Sequence, residues 1–343
     1  MERMNIESLF DRKKVLITGG TGSLGQALTK KLLKTNVEQI RIFSRNEFKQ
    51  IEMESKFQDK RLRFFIGDVR DLERLILALE DIDFVFHAAA LKHVPKVEYN
   101  PFEAVKTNVI GSQNVIDACI KKNIEKAICI GTDKAVSPLN TYGATKLLME
   151  KLFITANNYL NPEIHKTKFI AVRYGNVLGS SGSVVPKFIE QIKSNQKISI
   201  TDTKMTRFSL TMEEALNFIL NAAIKGKGSE IFVPKIKSYS IMDVKQALVE
   251  LLNDTGQEIT GIRTGEKIHE TLINSDEIRY SWEIEDMYMI LNPLLSESQI
   301  MKSYPKATKV ENLSSYSSGK VEKFSKDEIK KIIEEEFLKI NKN

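Results

Sequence analysis

Thr132-Asp133-Lys134 and Tyr142-Gly-Ala-Thr-Lys146 bring a hydroxyl, a carboxyl, an amine and a tyrosine/lysine pair into one short segment. A tyrosine and a lysine four apart on a helix share a face. The Lys146 ammonium is therefore expected to hold the Tyr142 phenol below its ordinary value of about 10, so that the phenolate can take a proton from an alcohol. The Y-x-x-x-K spacing alone also fits an ordinary surface helix, and its company decides between the two readings. Asp133 and Lys134 add two further proton-transfer groups, more than a simple alcohol dehydrogenation needs. The same residues also fit a plain ion pair capping a loop, with Thr132 a strand-end residue satisfying backbone.

These groups need a scaffold, and its first part is near the N-terminus. Val15-Leu16-Ile17-Thr18 is an apolar run followed by Gly19-Gly-Thr21-Gly22-Ser23-Leu24-Gly25, with Leu24, Leu28 and Leu32 at helical spacing. This reads as strand, glycine turn and helix. Such a turn lets the backbone approach a pyrophosphate, and the helix N-terminus supplies N–H groups to bind it. The G-x-x-G-x-x-G spacing is similar to the short-chain dehydrogenase/reductase form of the fingerprint. The second strand ends in Ser44-Arg45, where an NAD site carries an acidic residue for the ribose 2′-hydroxyl. Arg45, Ser44 and Lys49 can instead bind a 2′-phosphate, so NADP is expected; the plainer reading makes Arg45 and Lys49 solvated helix-start charges. Phe64–Val69 and Phe84–Ala90 read as third and fourth strands ending in small residues that leave room for adenine and ribose. Asp68 fits two roles equally, acceptor for the adenine amino group or N-cap of the helix entered at Leu72.

At 343 residues, 42% hydrophobic and 28% charged, the chain can bury a sizeable core and is expected to hold two domains of a soluble enzyme. No apolar run approaches the roughly eighteen residues of a membrane span, and the first residues do not form a signal peptide, so a cytoplasmic protein without membrane contact is expected. Cys119 and Cys129 lie in apolar stretches and read as buried thiols. The four histidines are scattered, and Gly265-Glu-Lys-Ile-His269-Glu270 lacks the second histidine of a zinc motif, so no metal is expected. The net charge of +6 is spread over lysines along the whole chain, which argues against nucleic acid as partner. It fits a solvated surface or a cleft that attracts phosphates.

Strand and helix patterns alternate from Val15 to Arg173, with fifth and sixth strands at Ala127–Ile130 and Phe169–Val172. This predicts an α/β fold, a Rossmann-like doubly wound parallel sheet with a smaller C-terminal substrate-binding domain. The glycine/serine-rich stretch Tyr174–Ser183 marks where the chain leaves the sheet. Residues 1–180 are assigned to the NADP-binding domain, with 208–228 returning to it as an amphipathic helix, and 181–207 with 229–330 to the sugar-nucleotide-binding domain. Ser325-Lys-Asp-Glu328 has capping-box form, and Ile329, Ile332, Ile333 and Phe337 make one apolar face, so this last helix is expected to pack.

With Thr132-Asp133-Lys134, Tyr142/Lys146, Arg173-Tyr-Gly-Asn176 and Met205-Thr-Arg207-Phe208 in place, the chain resembles the extended short-chain dehydrogenase/reductases that act on sugar nucleotides. Phe65-Ile-Gly-Asp-Val-Arg-Asp71, Ala88-Ala-Ala-Leu-Lys-His-Val-Pro95, Gly182-Ser-Val-Val-Pro186 and Gly261-Ile-Arg-Thr-Gly-Glu-Lys267 narrow this. They are similar to the inverting UDP-N-acetylglucosamine 4,6-dehydratases of pseudaminic acid biosynthesis. Asp133-Lys134 stands where stereo-retaining relatives carry Asp-Glu. Tyr142 stands where a capsule-synthesis relative carries Met, and Ser181 where relatives usually carry Arg.

The resemblance implies that Tyr142 takes the C4 hydroxyl proton during hydride transfer to NADP⁺ and Lys146 keeps the phenol acidic. Lys134, its pKa lowered by Lys146 or by burial, would abstract the C5 proton. A protonated Asp133 would donate to the leaving C6 hydroxyl, and Thr132 would bond the C4 oxygen. Val69, Ala88, Ala90, Lys92 and Asn108 are placed at the cofactor with the glycine turn and Asp68. Lys92, Tyr174, Asn176, Val184, Lys187, Thr201, Met205, Arg207, Arg263 and Glu266 are placed at UDP-N-acetylglucosamine, the guanidinium groups at the diphosphate and Glu266 at ribose. Lys92, His93 and Lys106 equally fit a cleft wall or solvent. A homo-oligomer is expected. A UDP-sugar 4-epimerase or a non-catalytic NADP-binding scaffold are the rivals: the first needs no Asp133-Lys134, and the second would be expected to have lost Tyr142, Lys146 or the glycine turn.

Overall fold

The computed structural model describes residues 5–177, 184–263 and 265–338, with only the backbone of Glu336 and Leu338. Six short apolar runs form the parallel strands β1 (Lys14–Thr18), β2 (Gln39–Ser44), β3 (Leu62–Ile66), β4 (Phe84–His87), β5 (Lys126–Ile130) and β6 (Lys168–Val172). They lie in the order β6-β5-β4-β1-β2-β3. Alternate residues face opposite sides: Val15 and Ile17 of β1 enter one apolar core with Phe84 and Phe86, while Leu16 enters the other with Val85 and Ala127. Burial on both faces is what a helix-covered parallel sheet requires. The helix Ser23–Leu32 follows β1 and buries Leu28 and Leu32 at the expected spacing.

The helix Met212–Lys225, capped by Thr211 with Glu214, returns to this sheet and packs beside Ser23–Leu32. It leads into Ile231–Pro234, which adds a seventh parallel strand next to β6. Met287–Ile290, Ser281–Ile284 and Thr308–Lys309 then extend the sheet antiparallel to ten strands. The expected division assigns residues from 229 onward to the smaller domain, and Ile231–Pro234 lies in the large sheet. Ile231, Phe232 and Val233 are a fully apolar run, buried on both faces inside this sheet. The smaller unit has its own core, in which Val185, Phe188 and Ile192 of one helix meet Val244, Ala247 and Leu248 of another. The C-terminal helix Lys326–Ile333 closes that core with Ile329 and Ile333, and its Ser325/Glu328 capping box is formed. Cys119 and Cys129 are buried free thiols. Among the described residues no helix is long and apolar enough to cross a membrane.

Candidate active site

One cleft, with a volume of 1210 Å³, runs past the C-terminal ends of the parallel strands and under the smaller domain. Ligand crevices of doubly wound sheets occur at this edge. Its nucleotide end is made largely of backbone and small side chains. Gly19 has φ +65°, and a Cβ there would meet the Ala89 backbone at 2.9 Å, so only glycine brings the first turn this close to the loop after β4. The helix that follows starts at Gly22 with no side chain capping it, so its first N–H groups face the cleft. Thr21, Gly22, Ser23, Leu24, Gly25, Ser44, Arg45, Lys49, Asp68, Val69, Ala88, Ala90 and Lys92 all line this end.

Asp68 resolves only in part. Its Oδ1 accepts the Arg70 N–H and its Oδ2 lies 3.7 Å from Arg45. The capping role belongs to Asp71, whose side chain accepts the Arg74 N–H at 3.0 Å, because Asp71 directly precedes the helix at Leu72. Lys92 and His93 line the cleft, whereas Lys106 pairs with Glu103 at 2.9 Å. Asn108 is fully buried behind the wall, bonding the backbone of Leu91 and the hydroxyl of Thr145.

Tyr142 and Lys146 are both buried on the helix Thr141–Ala156, which Asn140 caps. Gly143 lets this helix close on the turn at Asp133–Ala135, since a Cβ at that position would collide with the Lys134 carbonyl. The expected electrostatic partnership of the pair is corrected. Lys146 Nζ donates to the Ile130 carbonyl at 2.6 Å and lies 3.4 Å from the Met149 sulfur. Burial holds this amine below its ordinary value against the opposing influence of Cys129 and Glu150. Burial also raises the Tyr142 phenol, and the groups that oppose the rise are Lys134 and Thr132. Sharing a helix face does not fix where a long side chain ends, and Lys146 reaches back to β5.

Lys134 is corrected in the opposite direction. Its Nζ lies 3.0 Å from Asp133 Oδ1, 3.3 Å from Asn176 Oδ1 and 3.7 Å from Glu270 Oε1. Burial works to lower its pKa, but the carboxylates of Asp133 and Glu270 outweigh that and raise it well above the usual lysine value. Lys146 is not among the groups acting on it. Thr132 caps the turn, and its hydroxyl donates to Asp133 Oδ1 at 2.9 Å. Asp133 is fully buried beneath the cleft surface, and its Oδ2 has no partner among the described residues.

Tyr174, Asn176, Val184, Lys187, Thr201, Met205, Arg207, Arg263 and Glu266 line the other end. Arg207 donates to the carbonyls of Thr206 and Ile268, which fix its direction. Arg263 and Glu266 face each other at 3.6 Å, and Lys187 bonds Ser199 at 2.7 Å. Ser181 lies outside the described residues. Tyr239, Lys267 and Glu270, to which the sequence assigns no role, also line the cleft. The last two sit in residues 261–270, which carry part of the sugar-nucleotide resemblance and lack the second histidine of a zinc motif. Burial depresses Lys267, whose ammonium bonds the Val136 carbonyl. Lysine and glutamate inside a glycine-flanked segment were the signal available.

Residues 15–292 match the family described as polysaccharide biosynthesis protein. Over 82% of its length the chain is 50% identical to a Campylobacter jejuni subsp. jejuni serotype O:2 protein named UDP-N-acetylglucosamine 4,6-dehydratase (inverting), 84% of which is covered. It is 38% identical, over 95% of this chain and 96% of the relative, to a Rickettsia massiliae protein named UDP-glucose 4-epimerase. Among solved structures, Pen from Bacillus thuringiensis superposes with a TM-score of 0.88 at 39% identity, covering 96% of this chain and 99% of that one.

Proposed function

The chain belongs to the polysaccharide biosynthesis protein family, and from that premise we propose that it is a configuration-inverting UDP-N-acetylglucosamine 4,6-dehydratase that recycles NADP(H). Its product would be UDP-2-acetamido-2,6-dideoxy-β-L-arabino-hex-4-ulose, a precursor of pseudaminic acid-type surface glycans. The observation that carries the reading is the meeting of Lys134 and Tyr142 at the end of the cleft that begins at the glycine turn, with Asp133 directly beneath and bonded to Lys134. Oxidation and reduction at C4 alone need a phenol and a dinucleotide; a carboxyl and an amine beside them supply the acid and base of an elimination. The inverting dehydratase relative is 50% identical and the epimerase-named one 38%, which favours the same choice.

The site fits a dinucleotide. The uncapped helix start at Gly22 and the glycine turn suit the pyrophosphate, and the small residues after β3 and β4 suit adenosine. Arg45 and Lys49 are cations at the rim where a 2′-phosphate would lie, and Ser44 is tied to Gln50 beneath them. The chemistry that a bound nicotinamide supplies is hydride acceptance from C4 and its return at C6. Tyr142 receives the C4 hydroxyl proton, Lys134 the C5 proton, and Asp133 protonates the departing C6 hydroxyl as water. Protonation of C5 from the opposite face then inverts it. Arg207 and Arg263 hold the diphosphate and Glu266 the ribose.

Incubation of the protein with UDP-N-acetylglucosamine, followed by mass spectrometry, tests the reaction. Loss of one water is expected; an unchanged mass with a shifted retention time would identify an epimerase. Running the reaction in D₂O and reading the product by NMR at early times tests the stereochemistry. Deuterium at C5 with inverted configuration is expected, and retained configuration would defeat the inverting assignment alone.

A further inference from the structure

Glu270 lies just before the strand Thr271–Ile273, far in sequence from the Asp133-Lys134 turn. Its backbone is held at three points: its N–H donates to Ser318 Oγ at 2.9 Å, and its carbonyl accepts from the Ser318 N–H at 2.8 Å and the Ser317 hydroxyl at 3.1 Å. The side chain, 95% removed from solvent, turns into the cleft wall, with Oε1 3.7 Å from Lys134 Nζ and 3.9 Å from Arg207 Nε. Its Oε2 is buried without a partner among the described residues, as is Asp133 Oδ2. A buried carboxylate oxygen left without a donor is costly and calls for a reason.

We propose that Glu270 is a positioning residue that, together with Asp133, keeps the resting Lys134 side chain an ammonium and sets its affinity for the C5 proton. The chemical consequence rests on the dehydratase reading above. An ammonium 3.0 Å from Asp133 Oδ1 can pass one proton to it. The N–H bond breaks with its electron pair remaining on Nζ, an O–H bond forms on Asp133, and the ion pair becomes a neutral amine beside a carboxylic acid. Those are the forms elimination needs. The amine takes the C5 proton and becomes an ammonium again, the electron pair of C5–H forms the new C=C bond, and the C6–O bond breaks as Asp133 gives its proton to the leaving oxygen as water. Both residues return to their starting charges with no other reactant. Throughout, Glu270 stabilises the cation on Lys134 from 3.7 Å. The other ionisable groups around this amine are Tyr142, Tyr239 and Lys267, with Arg207 on the far side of Glu270.

Competitive acylation of the whole protein, with Lys134 followed by peptide mass spectrometry, reads the free-amine fraction directly, using the exposed Lys34 as internal reference. In the wild type the Lys134 titration midpoint is expected above that of Lys34; a midpoint at or below it would overturn the proposal. In Glu270→Gln, with its melting point recorded, Lys134 at pH 9 is expected to acylate about tenfold faster, corresponding to a midpoint lower by about one unit for loss of one close charge. An unchanged or slower rate overturns it. Glu270→Asp keeps the charge and is expected within about twofold of the wild type, whereas a tenfold rise there would assign the effect to access rather than charge. Failure of the wild type to remove water from UDP-N-acetylglucosamine would defeat the dehydratase reading and leave these rates as they are.

Discussion

At the glycine turn the cleft wall is backbone, with Gly19 against Ala89 and bare N–H groups at Gly22; at the reacting end the wall is charge, with Lys134 between Asp133 and Glu270 and Arg207 behind. The first end binds by shape and aligned dipoles, which one contiguous segment provides. The second sets protonation states, which depend on the net field of groups from several segments. Two lysines, Lys146 buried and Lys134 half-buried, show the difference. Lys146, facing a carbonyl and a sulfur, falls below its ordinary value, while Lys134, facing carboxylates, rises above it. Loss of solvent works to lower both, and the partners decide the sign.

The largest effect expected concerns the frame of the charged end. Arg173 is fully buried and bonds Glu150, on the Tyr142 helix, and Glu277, beside the strand that follows Glu270. Arg173→Met would leave two carboxylates facing each other, and urea unfolding should show a loss of about 3–5 kcal/mol. A loss under about 1 kcal/mol would mean that the charged end does not depend on this tie. Next comes Tyr142→Phe, which should fold, retain its dinucleotide and lose at least about 10²-fold in turnover, the scale of a general base. Near-normal turnover would move the base elsewhere.

The polar interior near the glycine turn gives a smaller, pH-dependent effect. His87, fully buried between Thr18 and Ser112, is pulled down to about 3 by burial and by Lys146. The unfolded chain binds this proton near pH 6.5 and the native chain does not. Stability from this group is therefore whole above about 6.5 and falls toward about 3, by up to about 1.4 kcal/mol per pH unit. Between pH 7 and pH 5, His87→Gln should lose about 2 kcal/mol less than the wild type in urea titrations, and equal losses would contradict it. Smallest is Arg45→Ala. The guanidinium is 55% exposed, so NADP affinity measured by calorimetry should weaken by only about 1 kcal/mol, with NAD affinity unchanged. Equal weakening of both would remove Arg45 from the 2′-phosphate.

Much of the scaffold was legible because its signals are local. The run Val15–Thr18, the glycine turn and the leucines of Ser23–Leu32 each encode strand, turn and helix within a few residues, and the Ser325/Glu328 box marks its helix in four. Local signals also misled by small shifts, as when Asp71 rather than Asp68 capped the helix at Leu72. Ile231–Pro234 carried the composition of a buried strand without saying which sheet would bury it, and the open edge of β6 took it. At the site, residue types alone named Asp133, Lys134, Tyr142 and Lys146 as candidates, since few side chains transfer protons at neutral pH.

The sequence by itself determined a doubly wound scaffold with a phosphate-ready turn and an acid/base segment at the end of β5, because periodicity, glycine spacing and side-chain chemistry are properties of short stretches. Only the tertiary structure decided that Lys134 lies against Glu270, that Lys146 turns to Ile130 and that Lys267 joins the cleft. Charge states follow from distances between segments remote along the chain, and those distances exist only once the sheet and the smaller domain have closed on each other.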